Sequence, residues 1–405
     1  MKYDAPLMDR PGRKELGRYL METGVLTSDW APTFAAVDRA AFLPDLMWPY
    51  DMTTGGSATV DKRKDPDAWY AAADDNVPIV TQWDDGAHRG TEPGKLSTSS
   101  SSMPSVVYGL LRDLTIEEGM RVLDVGTGTG ETAGALTHRL GRGKVTTVDV
   151  DRAVSAAARE RLCRQGLHPQ VVVGDGFEGH AAGAPYDRVL ATVGVRRIPP
   201  AWIRQTRPGG VILVPWGTAY GNADAVARLT VQGETAVGPF TRPVEFMKLR
   251  SQRGRVIDHD AYLSAGPLND ADRGTTSLTE EEFVTGRLTD LPFVLGLRVP
   301  GCRQAVADKR EGARPVWFYS LTDMSWACVL FREGQRDAVV WQSGRRRLWD
   351  EVTDAYLWWK NRGSPGVSRF GLSVDAHGQQ AWLDDPAYES WTVPLGSLGM
   401  KAPPH

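Results

Sequence analysis

Val122-Leu123-Asp124-Val125-Gly126-Thr127-Gly128-Thr129-Gly130 decides the fold class. An apolar run of strand type ends there on a glycine-rich turn, and a helix-compatible segment begins at Glu131. A turn that carries a strand into a helix beside a ligand must bring its backbone close, and side chains at Gly126, Gly128 and Gly130 would obstruct that approach. Outward from this stretch, apolar runs alternate with helical spacing from residue 104 to 216. The runs are Arg121 to Val125, Val145 to Val148, Val171 to Val173, Arg188 to Thr192 and Val211 to Val214. Their alternation predicts a mainly parallel sheet covered by helices. Ala225 to Val231 adds a strand, and Val237 to Leu249 is expected to complete the sheet edge.

A glycine turn alone is weak evidence of a ligand. Here Asp149 stands 23 residues after Gly126, near the spacing of about 20 at which a carboxylate binds ribose hydroxyls. Gly174-Asp175-Gly176 follows the third run, where methyltransferases place an acid against the adenine amino group, and Phe177 is set to pack near the base. Pro208-Gly209-Gly210 gives a tight turn into an apolar strand, a feature typical of class I methyltransferases. The pattern predicts S-adenosyl-L-methionine as cofactor, leaving as S-adenosyl-L-homocysteine. The expected contacts are Asp124, Gly126, Thr127, Gly128, Gly130, Asp149, Val150, Gly174, Asp175, Gly176 and Phe177.

The flanks differ from this core. Leu16, Leu20, Phe34, Val37 and Phe42 give residues 12–44 helical spacing, closed by Pro44. From Met52 to Ser102 the chain turns to Gly, Asp, Thr and Ser, which reads as a long surface loop. Eight of the 14 tryptophans lie after residue 316. There, Val316 to Leu321, Trp326 to Phe331 and Ala338 to Trp341 suggest an antiparallel meander, followed by a helix from about Arg345. The expected fold is therefore α/β, a class I Rossmann-like methyltransferase sheet with an N-terminal helical subdomain and an additional C-terminal α+β domain. The expected boundaries are residues 1–103, 104–254 and 255–405.

Composition excludes several classes. A chain of 405 residues, 24% charged and 41% hydrophobic, is ordinary for a globular protein. No apolar run approaches the roughly 20 residues of a membrane span. A net charge of -3 offers no bulk attraction for nucleic acid. Cys163, Cys302 and Cys328 have no CxxC spacing, so neither a disulfide framework nor a metal site is expected. Met1 to Asp4 lack the apolar core of a secretory signal, which points to the cytoplasm.

Several segments, in order, resemble the protein-L-isoaspartate O-methyltransferase family over roughly residues 30–250. They are Phe34 to Pro44, Ser102-Met103-Pro104-Ser105, the glycine loop, Val173 to Gly176, Ala184 to Asp187, and Arg207 to Gly210 through Pro215-Trp216-Gly217. The resemblance implies that Ser102 contacts the substrate carboxylate, with Ser101 and Ser100 beside it. Two departures stand out: Val80 to Thr98, with Trp83, Asp84, Asp85 and His88, is inserted, and about 150 C-terminal residues follow that the repair enzymes do not need. Both are similar to homologues that act on ribosomally made modified peptides of the lanthipeptide and graspetide types. Those methylate an aspartate of a macrocyclised precursor and promote aspartimide formation.

A carboxylate is already ionised near neutral pH, since Asp titrates at about 3.9. The site must therefore orient it rather than deprotonate it. Ser102, then Ser101 and Thr192, are the expected orienting hydroxyls. The leading expectation is esterification of one aspartate in a cyclised precursor peptide. The alternatives are repair of L-isoaspartyl residues and a non-catalytic peptide escort. Asp258-His259-Asp260 and Arg345-Arg346-Arg347 read as a surface turn and a solvated face, and the C-terminal tryptophans mainly as core.

Overall fold

Val122, Leu123, Asp124 and Val125 are each at most 1% exposed, as a strand covered on both faces requires. The computed structural model describes residues 10–286 and 288–394; Met1 to Asp4, on which the signal reading rests, lie outside them. The chain divides into two units, Met1–Val193 with Pro199–Leu213, and Gly194–Ile198 with Val214–His405.

The first unit begins with helix α1 (Pro11–Glu22), which opens on a proline and buries Leu16 and Leu20, four apart. Helix α2 (Ala31–Ala36) and a single 3-10 turn (Arg39–Phe42) follow. Buried Arg13 pairs with Asp38 at 2.6 Å and ties α1 to this turn. The next segment departs from the expected surface loop. Strands β1 (Leu46–Pro49) and β2 (Val60–Asp61), helix α3 (Pro66–Ala73), and strands β3 (Ile79–Trp83) and β4 (Ser97–Ser101) build a four-stranded sheet in the order β2-β1-β3-β4. Trp69, fully buried among Leu43, Met47 and Ile79, gives it a core that its polar composition conceals.

Helix α4 (Pro104–Asp113) leads into β5 (Val122–Val125). Helix α5 (Glu131–Leu140), β6 (Val145–Asp149), α6 (Arg152–Arg164), β7 (Gln170–Val173), β8 (Tyr186–Ala191), α7 (Pro200–Gln205) and β9 (Thr206–Gly217) complete the alternation. The strands run parallel in the order β7-β6-β5-β8-β9, with Val122 opposite Val145 on one side and Arg188 on the other. Strand order reverses about β5, and the carboxyl ends beside such a reversal form the usual ligand crevice of an open α/β sheet.

In the second unit β10 (Asp224–Gln232) and β11 (Thr235–Val244) form an antiparallel pair. Strands β12 (Asp272–Thr276), β13 (Cys302–Val306), β14 (Ala313–Ser320), β15 (Trp326–Arg332) and β16 (Ala338–Ser343) form the antiparallel sheet β12-β16-β15-β14-β13. Its core packs Val316, Phe318, Val329 and Val340 against Leu348, Trp349, Val352 and Tyr356 of the helix Leu348–Asn361. The chain then returns as β17 (Phe370–Asp375), β18 (Gly378–Leu383) and β19 (Ser390–Thr392), with β17 pairing on β11. Strand pairing thus joins residues on both sides of 254. Among the described residues no helix is long and apolar enough to cross a membrane.

Candidate active site

The glycine loop leaves the carboxyl end of β5, and its shape is set by its neighbours. Gly126 sits at φ 100°, where a Cβ would come within 2.8 Å of Val193 Cγ1. Gly128 sits at φ 51°, with a Cβ position only 3.2 Å from the Ser100 carbonyl oxygen. A side chain at either place would be strained by conformation and by contact alike. Gly130 precedes α5. Thr192 Oγ1 donates to the Gly126 carbonyl at 2.9 Å. Expected to orient substrate, Thr192 thus has its hydroxyl proton committed to holding the loop.

Asp149 closes β6 beside this loop. Its Oδ2 accepts from Gly128 N at 3.1 Å and its Oδ1 from Asp151 N at 3.0 Å. These two bonds place the carboxylate directly beside the loop. Asp175 is exposed, and its Oδ1 accepts from Phe177 N at 2.9 Å. Phe177 is half-buried, Val150 is exposed, and the Gly176 carbonyl accepts from Trp202 Nε1 at 2.8 Å. At Gly174 a Cβ would meet Val148 Cγ1 at 3.9 Å, an ordinary contact.

Asp124 and Thr127 lie behind the loop. Thr147 Oγ1 donates to Asp124 Oδ2 at 2.7 Å, so the hydroxyl of buried Thr127, also 2.7 Å from Thr147 Oγ1, must donate to that oxygen. The other oxygen of Asp124 is buried without a partner. Burial pushes the Asp124 carboxyl up to about 7, and the nearby Asp149 adds to this against the Thr147 hydrogen bond. The set fits an adenosyl sulfonium ligand: a glycine loop at the carboxyl end of β5, a carboxylate closing the next strand for ribose, and an exposed acid beside an aromatic ring for the base.

The serine run comes to the loop as a strand. Ser101 is 2% exposed, accepts from Arg39 Nε at 2.8 Å and donates to Glu131 Oε2 at 2.8 Å. Its hydroxyl thus serves as donor and acceptor between two buried charged groups. The Arg39 guanidinium also donates to the carbonyls of Asp75, Val77, Ser101 and Ser102. Burial holds this guanidinium below its ordinary value and Glu131 above its own, with each charge partly offsetting the other. Ser102 is half-buried, and its carbonyl accepts from Arg39 Nη2 at 3.1 Å. Arg39 and Glu131 escaped the sequence reading; the available signals were their places in the Phe34–Pro44 segment and directly after the glycine loop.

The insertion is a built hairpin rather than a loose loop. Asp84 accepts from the backbone of Lys95 and Leu96, which holds its carboxyl below the usual range. Trp48 packs edge-on against Trp83 and His88 at 6.0 and 6.3 Å. Gln82 Nε2 donates to Asp151 Oδ2 at 3.0 Å, tying the hairpin to the start of α6. Elsewhere the tempting motifs are structural. Asp258 caps a helix, His259 Nδ1 lies 2.8 Å from the Tyr319 hydroxyl, and the described residues contain no cluster fit for a metal. Arg346 and Arg347 pair with Glu351 and Asp272. Of the eight C-terminal tryptophans, Trp326, Trp349 and Trp382 are buried and the other five half-buried.

A parallel sheet with this switch-point loop defines a class I methyltransferase fold. The model of the family "Protein-L-isoaspartate(D-aspartate) O-methyltransferase (PCMT)" matches residues 83–253. Protein-L-isoaspartate O-methyltransferase 2 of Polaromonas sp. is 37% identical over 158 residues, 38% of this chain and 72% of that protein. The protein-L-isoaspartate O-methyltransferase of Thermotoga maritima is 27% identical over 187 residues, 46% of this chain. The chain spans 56% of the length of the Thermotoga protein. The chain belongs to the protein-L-isoaspartate O-methyltransferase family. A solved structure titled protein-L-isoaspartate O-methyltransferase shares the fold at TM-score 0.51 and 19% identity, covering 92% of this chain and 100% of its own.

Proposed function

We propose that this chain is an S-adenosylmethionine-dependent carboxyl O-methyltransferase acting on an aspartate-derived carboxylate in a peptide or protein. The observation that carries the reading is the place of Ser102, directly after a strand whose Ser100 carbonyl approaches the glycine loop, with its own carbonyl held by Arg39. When bound, the cofactor would supply an electrophilic methyl carbon and a sulfur leaving group that takes the carbon–sulfur electron pair. Asp149 would accept from the ribose hydroxyls, and Asp175 from the adenine amino group. Ser102 donates to one oxygen of the substrate carboxylate and leaves the other aimed at the methyl carbon. A hydroxyl suits this task because it orients the oxygen without neutralising it as a nearby cation would. The peptide or protein substrate meets the enzyme in the cytoplasm, as three free cysteines fit.

Repair of L-isoaspartyl residues is the first substrate reading, favoured by the family and by the reach of its fold over this chain. Tailoring of a cyclised ribosomal peptide, in which the ester would give way to aspartimide with loss of methanol, is favoured by one observation. The Val80–Thr98 insertion is built and braced by Trp48, Trp83 and His88, as a substrate-selecting wall would be. Methyl transfer to an isoaspartyl peptide, a cyclised precursor and the same precursor left linear separates them. Strong transfer to the isoaspartyl peptide is expected from repair, and preference for the cyclised precursor from tailoring. Transfer to none of the three would contradict both.

A further inference from the structure

Within the second unit, four arginines, Arg196, Arg197, Arg255 and Arg303, line a pocket of about 110 Å³ together with the backbone turns at Gly254 and Gly301. A water molecule occupies about 30 Å³ of liquid, so the space suits a small group on the scale of a carboxylate or a phosphate. No Asp or Glu lines the pocket among the described residues.

Two of these charges, Arg196 and Arg303, have no carboxylate bonded to them among the described residues, unlike other arginines of the same unit. Arg314 pairs with Glu280, Arg346 with Glu351 and Arg369 with Asp384. Arg303 donates to the Ala219 carbonyl at 3.2 Å, and burial alone lowers its affinity for its proton. Arg196 donates to the Gln252 carbonyl at 2.6 Å, while its Nε is buried without a partner. Burial presses hardest on Arg196, and the charge of Arg303 adds to the pressure. Asp224, the acid that opposes it, is already paired with Lys248 at 2.6 Å. Two half-buried like charges facing one small space are costly unless an anion joins them.

We propose that this pocket binds an oxyanion of carboxylate or phosphate size. Guanidinium groups present planar pairs of donors that match either shape. A carboxylate of an acidic peptide as its source rests on the peptide-substrate reading above; a free phosphate does not.

Calorimetric titration of the full chain at low salt uses three probes: inorganic phosphate, a short peptide rich in Asp and Glu, and its Asn and Gln counterpart. The acidic peptide is expected to bind at least tenfold tighter than its neutral counterpart. Arg303→Gln should weaken that binding about tenfold or more, as one charge-assisted contact is lost. Arg255 is exposed, so Arg255→Gln keeps the fold and should also weaken binding. Arg332→Gln, an exposed arginine outside the pocket, should leave it unchanged. Phosphate binding that is lost in Arg303→Gln, without peptide binding, supports the pocket with a free oxyanion as its ligand. Absence of binding by either anion, or equal weakening by Arg332→Gln, overturns the proposal. Methyl transfer measured in parallel keeps the two readings apart, because its failure would leave the anion titration intact.

Discussion

The glycine loop and the serine strand meet where a Cβ at Gly128 would lie 3.2 Å from the Ser100 carbonyl, and they are held in opposite ways. The loop is fixed from its own side, by left-handed backbone at Gly126 and Gly128 and by hydrogen bonds to Asp149 and Thr192. The strand is fixed from behind, by a buried guanidinium that gathers four carbonyls and one hydroxyl and is balanced by Glu131. One wall is thus shaped by backbone freedom and the other by buried charge. Damage to the first should appear in cofactor binding, and damage to the second in folding.

The largest effect is expected from Arg39→Ala. It strands Glu131 as an uncompensated buried carboxylate and frees the carbonyls of Ser101 and Ser102. Removing one partner of a buried pair costs about 3–5 kcal/mol. Denaturant unfolding should show a loss of that size, and a loss below about 1 kcal/mol would mean that the strand is held by something else.

Ser102→Ala should lower turnover about 10- to 100-fold, the range expected when one hydrogen bond to a charged group is lost. Affinity for S-adenosylhomocysteine should stay unchanged, since Ser102 belongs to the substrate wall. Parallel loss of both quantities would show that the two walls are not separable. Ser101→Ala provides the contrast, because its buried hydroxyl serves Arg39 and Glu131 and its removal should cost stability.

Asp124→Asn should produce the smallest change, visible in its pH dependence. The buried carboxyl keeps its proton to about 7 against an ordinary 3.8, so between those values the folded chain holds a proton that the unfolded chain has lost. Its contribution to stability is fully present below the ordinary value and is lost as pH rises through about 7. Asn cannot ionise, so thermal melts of the variant should fall less steeply than those of the wild type over that window. Identical slopes would remove Asp124 as a titrating group.

The same contrast explains what sequence could reveal. The glycine loop, the alternating strands and the Val316–Trp341 meander are encoded by neighbours in the chain, and they stand where periodicity and turn chemistry place them. Ser97–Ser101 looks like a low-complexity loop because Ser has little strand preference of its own. It becomes a strand because partners 62 and 30 residues from Ser101 satisfy that hydroxyl in the interior. The helix Pro66–Ala73 did carry a local signal, an Asp65 cap before a proline, within a stretch otherwise too polar to suggest a core. The return of β17 to β11 had none, since Pro239 opposite Gly371 is a pairing between residues far apart in the chain.

Calorimetric titration of S-adenosylhomocysteine into the wild type and Asp149→Ala tests the central claim most directly. Asp149 joins the glycine loop through Gly128 N, and the proposed function has it take the ribose hydroxyls. The account predicts one site per chain in the wild type and binding weakened about tenfold or more in the variant, as a carboxylate with two hydroxyl partners is lost. Unchanged affinity in Asp149→Ala, or no binding by the wild type, would contradict a cofactor site at this loop.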